Sequence, residues 1–195
     1  VKVEVFNFLA LLIHKQENQI MVSDFKKRKL ANLFKTYDRD NSQFLEAKDF
    51  TEGAVLYAQR LGIEPESEQG KKLLEIELRV WNNIKRFDRN GDDKVKLDEY
   101  AEGYEAIINE GKLQGIVQGF VAIIFSVLDK DGDGRLSQEE FALLLVTDED
   151  SEIFQKFDTE GKGYLSKDEI LHHLTVFYTS EDPSEPGNSF FGTVE

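Results

Sequence analysis

Four twelve-residue segments of this chain align without a gap, each opening on Asp and closing on an acid. They are residues 38–49, 88–99, 129–140 and 158–169. The eighth position is aliphatic in every copy: Leu45, Val95, Leu136 and Leu165. An apolar residue precedes each segment (Tyr37, Phe87, Leu128, Phe157) and another follows it (Phe50, Tyr100, Phe141, Ile170). Such a repeat constrains the fold strongly, because each copy is one supersecondary unit that must bury its apolar face against the others. The flanks carry helical spacing. Leu30, Leu33, Phe34 and Tyr37 share a face before the first segment, and Leu74, Leu78, Trp81, Ile84 and Phe87 before the second. Val117, Phe120, Val121, Ile124, Val127 and Leu128 do so before the third, and Ile170, Leu171, Leu174, Phe177 and Tyr178 after the fourth. Ser137 with Glu140, and Ser166 with Glu169, have capping-box spacing at helix starts. The expected fold is all-α. Four helix-loop-helix units form two pairs packed into one compact body, with short two-stranded contacts between paired loops. Leu45 should brace Val95, and Leu136 should brace Leu165. The expected division is residues 1–110, an N-terminal extension plus the first pair, and residues 111–195, the second pair plus a C-terminal tail. The joint falls at Asn109, Glu110, Gly111 and Lys112.

The acids inside the segments fall where a calcium loop needs oxygen. Calcium takes six to eight oxygens at about 2.3–2.6 Å. A tight loop offers them from positions 1, 3 and 5, the carbonyl of 7, often a water at 9, and a bidentate acid at 12. In the third segment these are Asp129, Asp131, Asp133, the Arg135 carbonyl, Ser137 and Glu140, with Gly134 at the turn. In the second they are Asp88, Asn90, Asp92, the Lys94 carbonyl and Glu99. There Asp93 stands at the glycine position, and Lys96 leaves position 9 to water. The first offers Asp38, Asp40, Ser42, the Phe44 carbonyl, Glu46 and Asp49, with Gln43 at the turn. Its closing acid is one methylene shorter than Glu, which suits magnesium's octahedral shell as well as calcium. The fourth should hold no metal. Lys162 places an ammonium at position 5 and Glu160 is long for position 3, while Gly163, Leu165 and Glu169 keep the loop's shape. Two to three bound Ca2+ ions are expected, with Mg2+ the alternative in the first loop.

Charge and composition narrow the partners. Asp and Glu number 38 against 24 Lys and Arg, a formal net charge of −14. That sign argues against nucleic acid, which needs a basic surface. It suits cation binding and an acidic solvated surface equally. The absence of cysteine excludes thiolate metal sites, disulfides and cysteine nucleophiles, and fits the cytoplasmic location expected here. No apolar run reaches the roughly 18 residues of a spanning helix, so no stable membrane insertion is expected. Residues 5–13 come nearest; they lack a basic leader and a clear cleavage site, and Glu4 precedes them. They read as a helix docked on the fold, with a truncated targeting segment or a partner-engaging helix as the alternatives. No nucleophile, phosphate loop or zinc spacing points to an enzyme, and His172 beside His173 reads as part of a helix face.

From Asp24 onward the loops identify the chain as similar to the EF-hand superfamily. Within it the pattern resembles the invertebrate sarcoplasmic calcium-binding protein and calexcitin group. The shared marks are four units in this length, Asp49 closing the first loop, and a fourth loop without its ligands. The ending Gly187-Asn188-Ser189-Phe190-Phe191-Gly192 also resembles that group's Gly-Asn-x-x-Phe-Gly. Gln43, the short step to the fourth loop and the apolar N-terminal segment depart from the pattern. The resemblance implies a monomeric cytosolic calcium buffer whose halves pack face to face. A calexcitin-type sensor with a protein target is the alternative. The chain has one methionine, Met21, where a methionine-rich sensor groove would need several. A third reading is a small-ligand carrier of luciferin-binding type, with the apolar helix over residues 115–128 lining a cavity. One Trp and three His supply few of the aromatic-histidine clusters that photoproteins use.

Overall fold

The computed structural model describes residues 21–144 and 150–194. The apolar segment at residues 5–13 lies outside them. In the first pair, α1 (Asp24–Tyr37), β1 (Phe44–Leu45) and α2 (Ala47–Arg60) make one unit. The next is α3 (Glu68–Ile84), a 3-10 turn at Lys85–Phe87, β2 (Val95–Lys96) and α4 (Leu97–Asn109). In the second pair, α5 (Leu113–Leu128), β3 (Arg135–Ser137) and α6 (Gln138–Ala142) precede α7 (Asp150–Phe157), β4 (Tyr164–Ser166) and α8 (Lys167–Thr179). A 3-10 turn at Pro186–Ser189 follows. Loops three and four start at 129 and 158, the closest spacing of the four, and α6 and α7 are correspondingly short.

Helix starts follow local chemistry. Ser23 accepts from the Lys26 amide at 3.2 Å, and Ser67 from the Gly70 amide at 3.1 Å. Ser137 with Glu140 and Ser166 with Glu169 form the expected capping boxes. Gly111 (φ 68°) turns the chain between α4 and α5, which lie 112° apart. The loop strands pair in the expected register. Leu45 opposes Val95 and Leu136 opposes Leu165, and all four are fully buried.

One hydrophobic cluster runs through both pairs. Phe50 tilts against Trp81 at 5.4 Å and Phe34 meets Tyr100 edge-on at 5.6 Å. Tyr104 of α4 stacks on Tyr178 of α8 at 4.8 Å, so the cluster crosses between pairs. Each fully buried Phe contributes about 1.5–3 kcal/mol. On α3 the core face differs from expectation: Leu73 is buried while Leu74 is 36% exposed. Adjacent leucines sit about 100° apart on a helix, and packing against α2 turns Leu73 inward together with Trp81 and Ile84. His173 is buried and stacks on Phe157 at 4.0 Å, while His172 is exposed.

The C-terminal tail closes the body beneath α1. Lys29 is buried and donates to the Ser180 carbonyl at 2.7 Å and to Asn188 Oδ1 at 2.6 Å. Desolvation pulls its ammonium down to about 8. A Cβ at Gly187 would fall 2.5 Å from the His173 carbonyl, so this position needs glycine. Phe190 is fully buried against Phe141 and Phe157. The resemblance seen in the tail therefore has a physical basis: glycine for close approach, Asn188 for Lys29, and an aromatic for the core.

Candidate metal centres

The third loop gathers its acids tightly. Ligand oxygens of Asp129, Asp131 and Asp133 all lie within 4.8 Å of one another. The backbone aims them. Gly134 (φ 79°) donates to Asp129 Oδ2 at 3.1 Å, Asp133 N to Asp131 Oδ1 at 3.1 Å, and Arg135 N to Asp133 Oδ1 at 2.8 Å. Such Asx turns fold the short acidic side chains back into the loop. Asp129 Oδ1 is buried without a hydrogen-bond partner among the described residues. A bare oxygen inside a ring of carboxylates fits a cation, since buried polar atoms are otherwise satisfied. Glu140 is held at the loop's end by Lys130 N (2.8 Å), Ser137 N (3.0 Å) and Ser137 Oγ (3.0 Å). Burial pushes its carboxyl up, but these hydrogen bonds outweigh it and hold the group below its ordinary value.

The first loop brings Asp38, Asp40 and Asp49 within the same 4.8 Å limit. The shorter closing acid thus reaches the cluster. Gln43 takes φ 69°, the left-handed turn its position requires, and donates to Asp38 Oδ2 at 3.0 Å. Asn41 also has positive φ, at 56°. Ser42 Oγ donates to the Phe44 carbonyl at 2.9 Å, placing those two expected ligands side by side. Burial first, and then the neighbouring Asp40 and Asp38, raise the Asp49 carboxyl. An approaching cation would relieve that repulsion. Sequence reasoning did not single out Arg39, whose guanidinium donates to the Asp49 carbonyl at 3.2 Å and lies over the Tyr57 ring.

The second loop has Asn90 where the others carry an acid. Asp93 takes φ 61° and donates to Asp88 Oδ2 at 2.9 Å. Asn90 Oδ1 accepts from Asp92 N at 2.9 Å, and Lys94 N donates to Asp92 Oδ1 at 3.0 Å. Glu99 accepts from Arg89 N at 3.2 Å and Lys96 N at 3.1 Å, so its carboxylate closes the loop as Glu140 does in the third. Lys96 itself is exposed.

The fourth loop has the same frame and different contents. Gly163 N and Lys162 N donate to Asp158 Oδ2 (2.7 Å) and Oδ1 (2.8 Å). The Lys162 ammonium lies 2.6 Å from Glu169 Oε1 and 3.5 Å from Glu160. Hydrogen bonding to Glu169 raises Lys162; burial pushes Glu169 up, but bonds from Lys162 and Ser166 hold it low. The side chain thus places a positive charge among the loop's own carboxylates.

Comparison with known proteins agrees with this geometry. The chain is 29% identical over 178 residues to the sarcoplasmic calcium-binding protein alpha chain of Penaeus vannamei, covering 82% of this chain and 90% of that one. It is 33% identical over 90 residues to lysophosphatidylcholine acyltransferase 2 of Danio rerio, 43% of this chain but 16% of that enzyme's length. Okadaic acid binding protein 2.1 has the same fold, with a TM-score of 0.74 at 15% identity, covering 90% of this chain and 98% of that one. The model of the EF-hand domain pair matches residues 27–105, which hold loops one and two, and residues 121–175, which hold loops three and four. The chain therefore belongs to the EF-hand domain-pair family and is a calcium-binding protein.

Proposed function

We propose that this protein is a cytoplasmic calcium buffer, monomeric, holding ions in loops two and three and a third, Ca2+ or Mg2+, in loop one. The two pairs, residues 1–110 and 111–195, supply two sites and one. Carrying this reading is the core common to both pairs, crossed by the Tyr104–Tyr178 stack at 4.8 Å. A sensor must expose an apolar groove when calcium binds, and here that would break the stack and the Lys29 bonds to the tail. Small-angle scattering with and without calcium tests it. A buffer keeps a radius of gyration near about 16 Å in both states; a clear calcium-dependent increase favours the sensor. Calorimetric titration should count two or three ions.

A second reading, a carrier of a small apolar molecule, is favoured by one observation. A cleft of about 990 Å³ opens between α3, α4 and α5. That is the upper end of the range for ligand sites. The similar fold of okadaic acid binding protein 2.1 supports a carrier on this scaffold.

A further inference from the structure

The cleft has an uneven wall. On α5, Val121, Ile124 and Leu128 face the core, while Gly115, Ile116, Val117, Gly119 and Ile123 border the cleft. A Cβ added at Gly115 or Gly119 would meet nothing within 4 Å, so these glycines widen the opening where a larger side chain would fill it. Beside it, Leu33, Tyr37, Val80, Phe120 and Ile123 are shared with a smaller recess of about 100 Å³. Its wall is apolar apart from a few polar groups, among them Glu77 and the tyrosines Tyr37 and Tyr57. Glu77 Oε2 is buried and has no hydrogen-bond partner among the described residues. Burial lifts this carboxyl to about 7, although Arg39 opposes the shift. An orphaned carboxyl oxygen in an apolar recess is costly unless something donates to it.

We propose that the cleft and recess bind a small, mainly apolar molecule carrying one hydroxyl or N–H group, which donates to Glu77. This rests on the carrier reading and adds to it the class of ligand and the residue that selects it. The body of the ligand lies along Phe120 and Ile123, and its donor reaches past Val80 to the carboxyl. A molecule of the same shape without the donor leaves Glu77 unsatisfied and binds more weakly.

The test uses the full chain with calcium present and N-phenyl-1-naphthylamine as a fluorescent probe. The probe is displaced by 2-naphthol or by 2-methoxynaphthalene, which has nearly the same shape and no donor. The expected result is displacement by the naphthol at concentrations about tenfold lower, the discrimination one buried hydrogen bond gives. In Glu77→Leu the two competitors should become equal while the probe still binds. Should that variant fail to fold, Glu77→Gln, which keeps an acceptor of nearly the same shape, should retain a preference for the naphthol. Gly119→Phe should block the probe and leave calcium stoichiometry unchanged. Equal displacement in the unmodified protein overturns the role of Glu77 and leaves the carrier reading standing. Absence of probe binding overturns both. Probe binding that appears only in the L9E/L12E double variant makes residues 5–13 the occupant of the cleft, and overturns the proposal.

Discussion

Replacing Lys162 with Asp should turn the fourth loop into a metal site. The loop's backbone already follows the pattern of the others, with Asp158 accepting from Lys162 N and Gly163 N, and Glu169 capping its helix. What differs is the ammonium, 2.6 Å from Glu169 Oε1 and 3.5 Å from Glu160. In K162D, the introduced carboxylate joins Asp158, Glu160, the Tyr164 carbonyl and both oxygens of Glu169, which together reach the lower end of calcium's six to eight. Without metal, four acids then face one another with no internal cation, and the variant should unfold at a lower temperature than the unmodified chain. Calcium at a hundredfold its dissociation constant adds about 2.7 kcal/mol to stability. In a domain of this size that is about 5–10 °C in Tm. Calorimetric titration should count one more ion than in the unmodified protein, and scanning calorimetry should show a calcium-dependent rise in Tm larger by that amount. Unchanged stoichiometry would refute the idea that Lys162 alone excludes the metal. So would four ions bound to the unmodified chain.

Glu140→Gln should remove one ion from the titration, because an amide offers one oxygen where the carboxylate offers two and a charge; full stoichiometry would contradict the ligand assignment. Gly103→Ala should lower stability by about 1–3 kcal/mol, read from urea unfolding, since its Cβ would run into the Phe87 ring. Lys29 makes stability depend on alkaline pH. Its ammonium titrates near 8 in the folded chain and near its ordinary 10.5 when unfolded. Between those values the unfolded chain holds more protons, so stability rises with pH. The urea midpoint of Lys29→Met should lack the increment that the unmodified protein gains between pH 8 and 10.

Much of the site was legible because it is local. Twelve consecutive residues specify an EF-hand loop, so Asp129 to Asp133 and the positive φ at Gln43 and Asp93 follow from spacing and turn chemistry alone. The register of Leu45 with Val95 was legible for a similar reason: the loops repeat in phase, and phase determines the pairing. What was not legible depends on distant packing. Periodicity puts Leu74 on the apolar face with Leu78 and Trp81, whereas the contact with α2 buries Leu73 instead. Lys162 was readable as an obstacle to metal, yet its bond to Glu169 depends on a side chain reaching across the loop. Among the described residues, the unpartnered oxygen of Glu77 and the open flank at Gly119 arise where several helices meet, which no single helix encodes.

The bonds of Lys29 to Ser180 and Asn188 join positions 151 and 159 residues apart. Contacts so distant along the chain form late in folding, because the loop they close must first become ordered. Each helix-loop-helix hairpin can form from neighbours in sequence, whereas this clasp must wait for both ends. An interaction made after the rate-limiting step scarcely alters how fast a chain folds; it governs how slowly the native state comes apart. Lys29→Met should therefore unfold faster in a urea jump and refold at nearly the unmodified rate, the behaviour of a latch; a matching loss in the refolding rate would refute this.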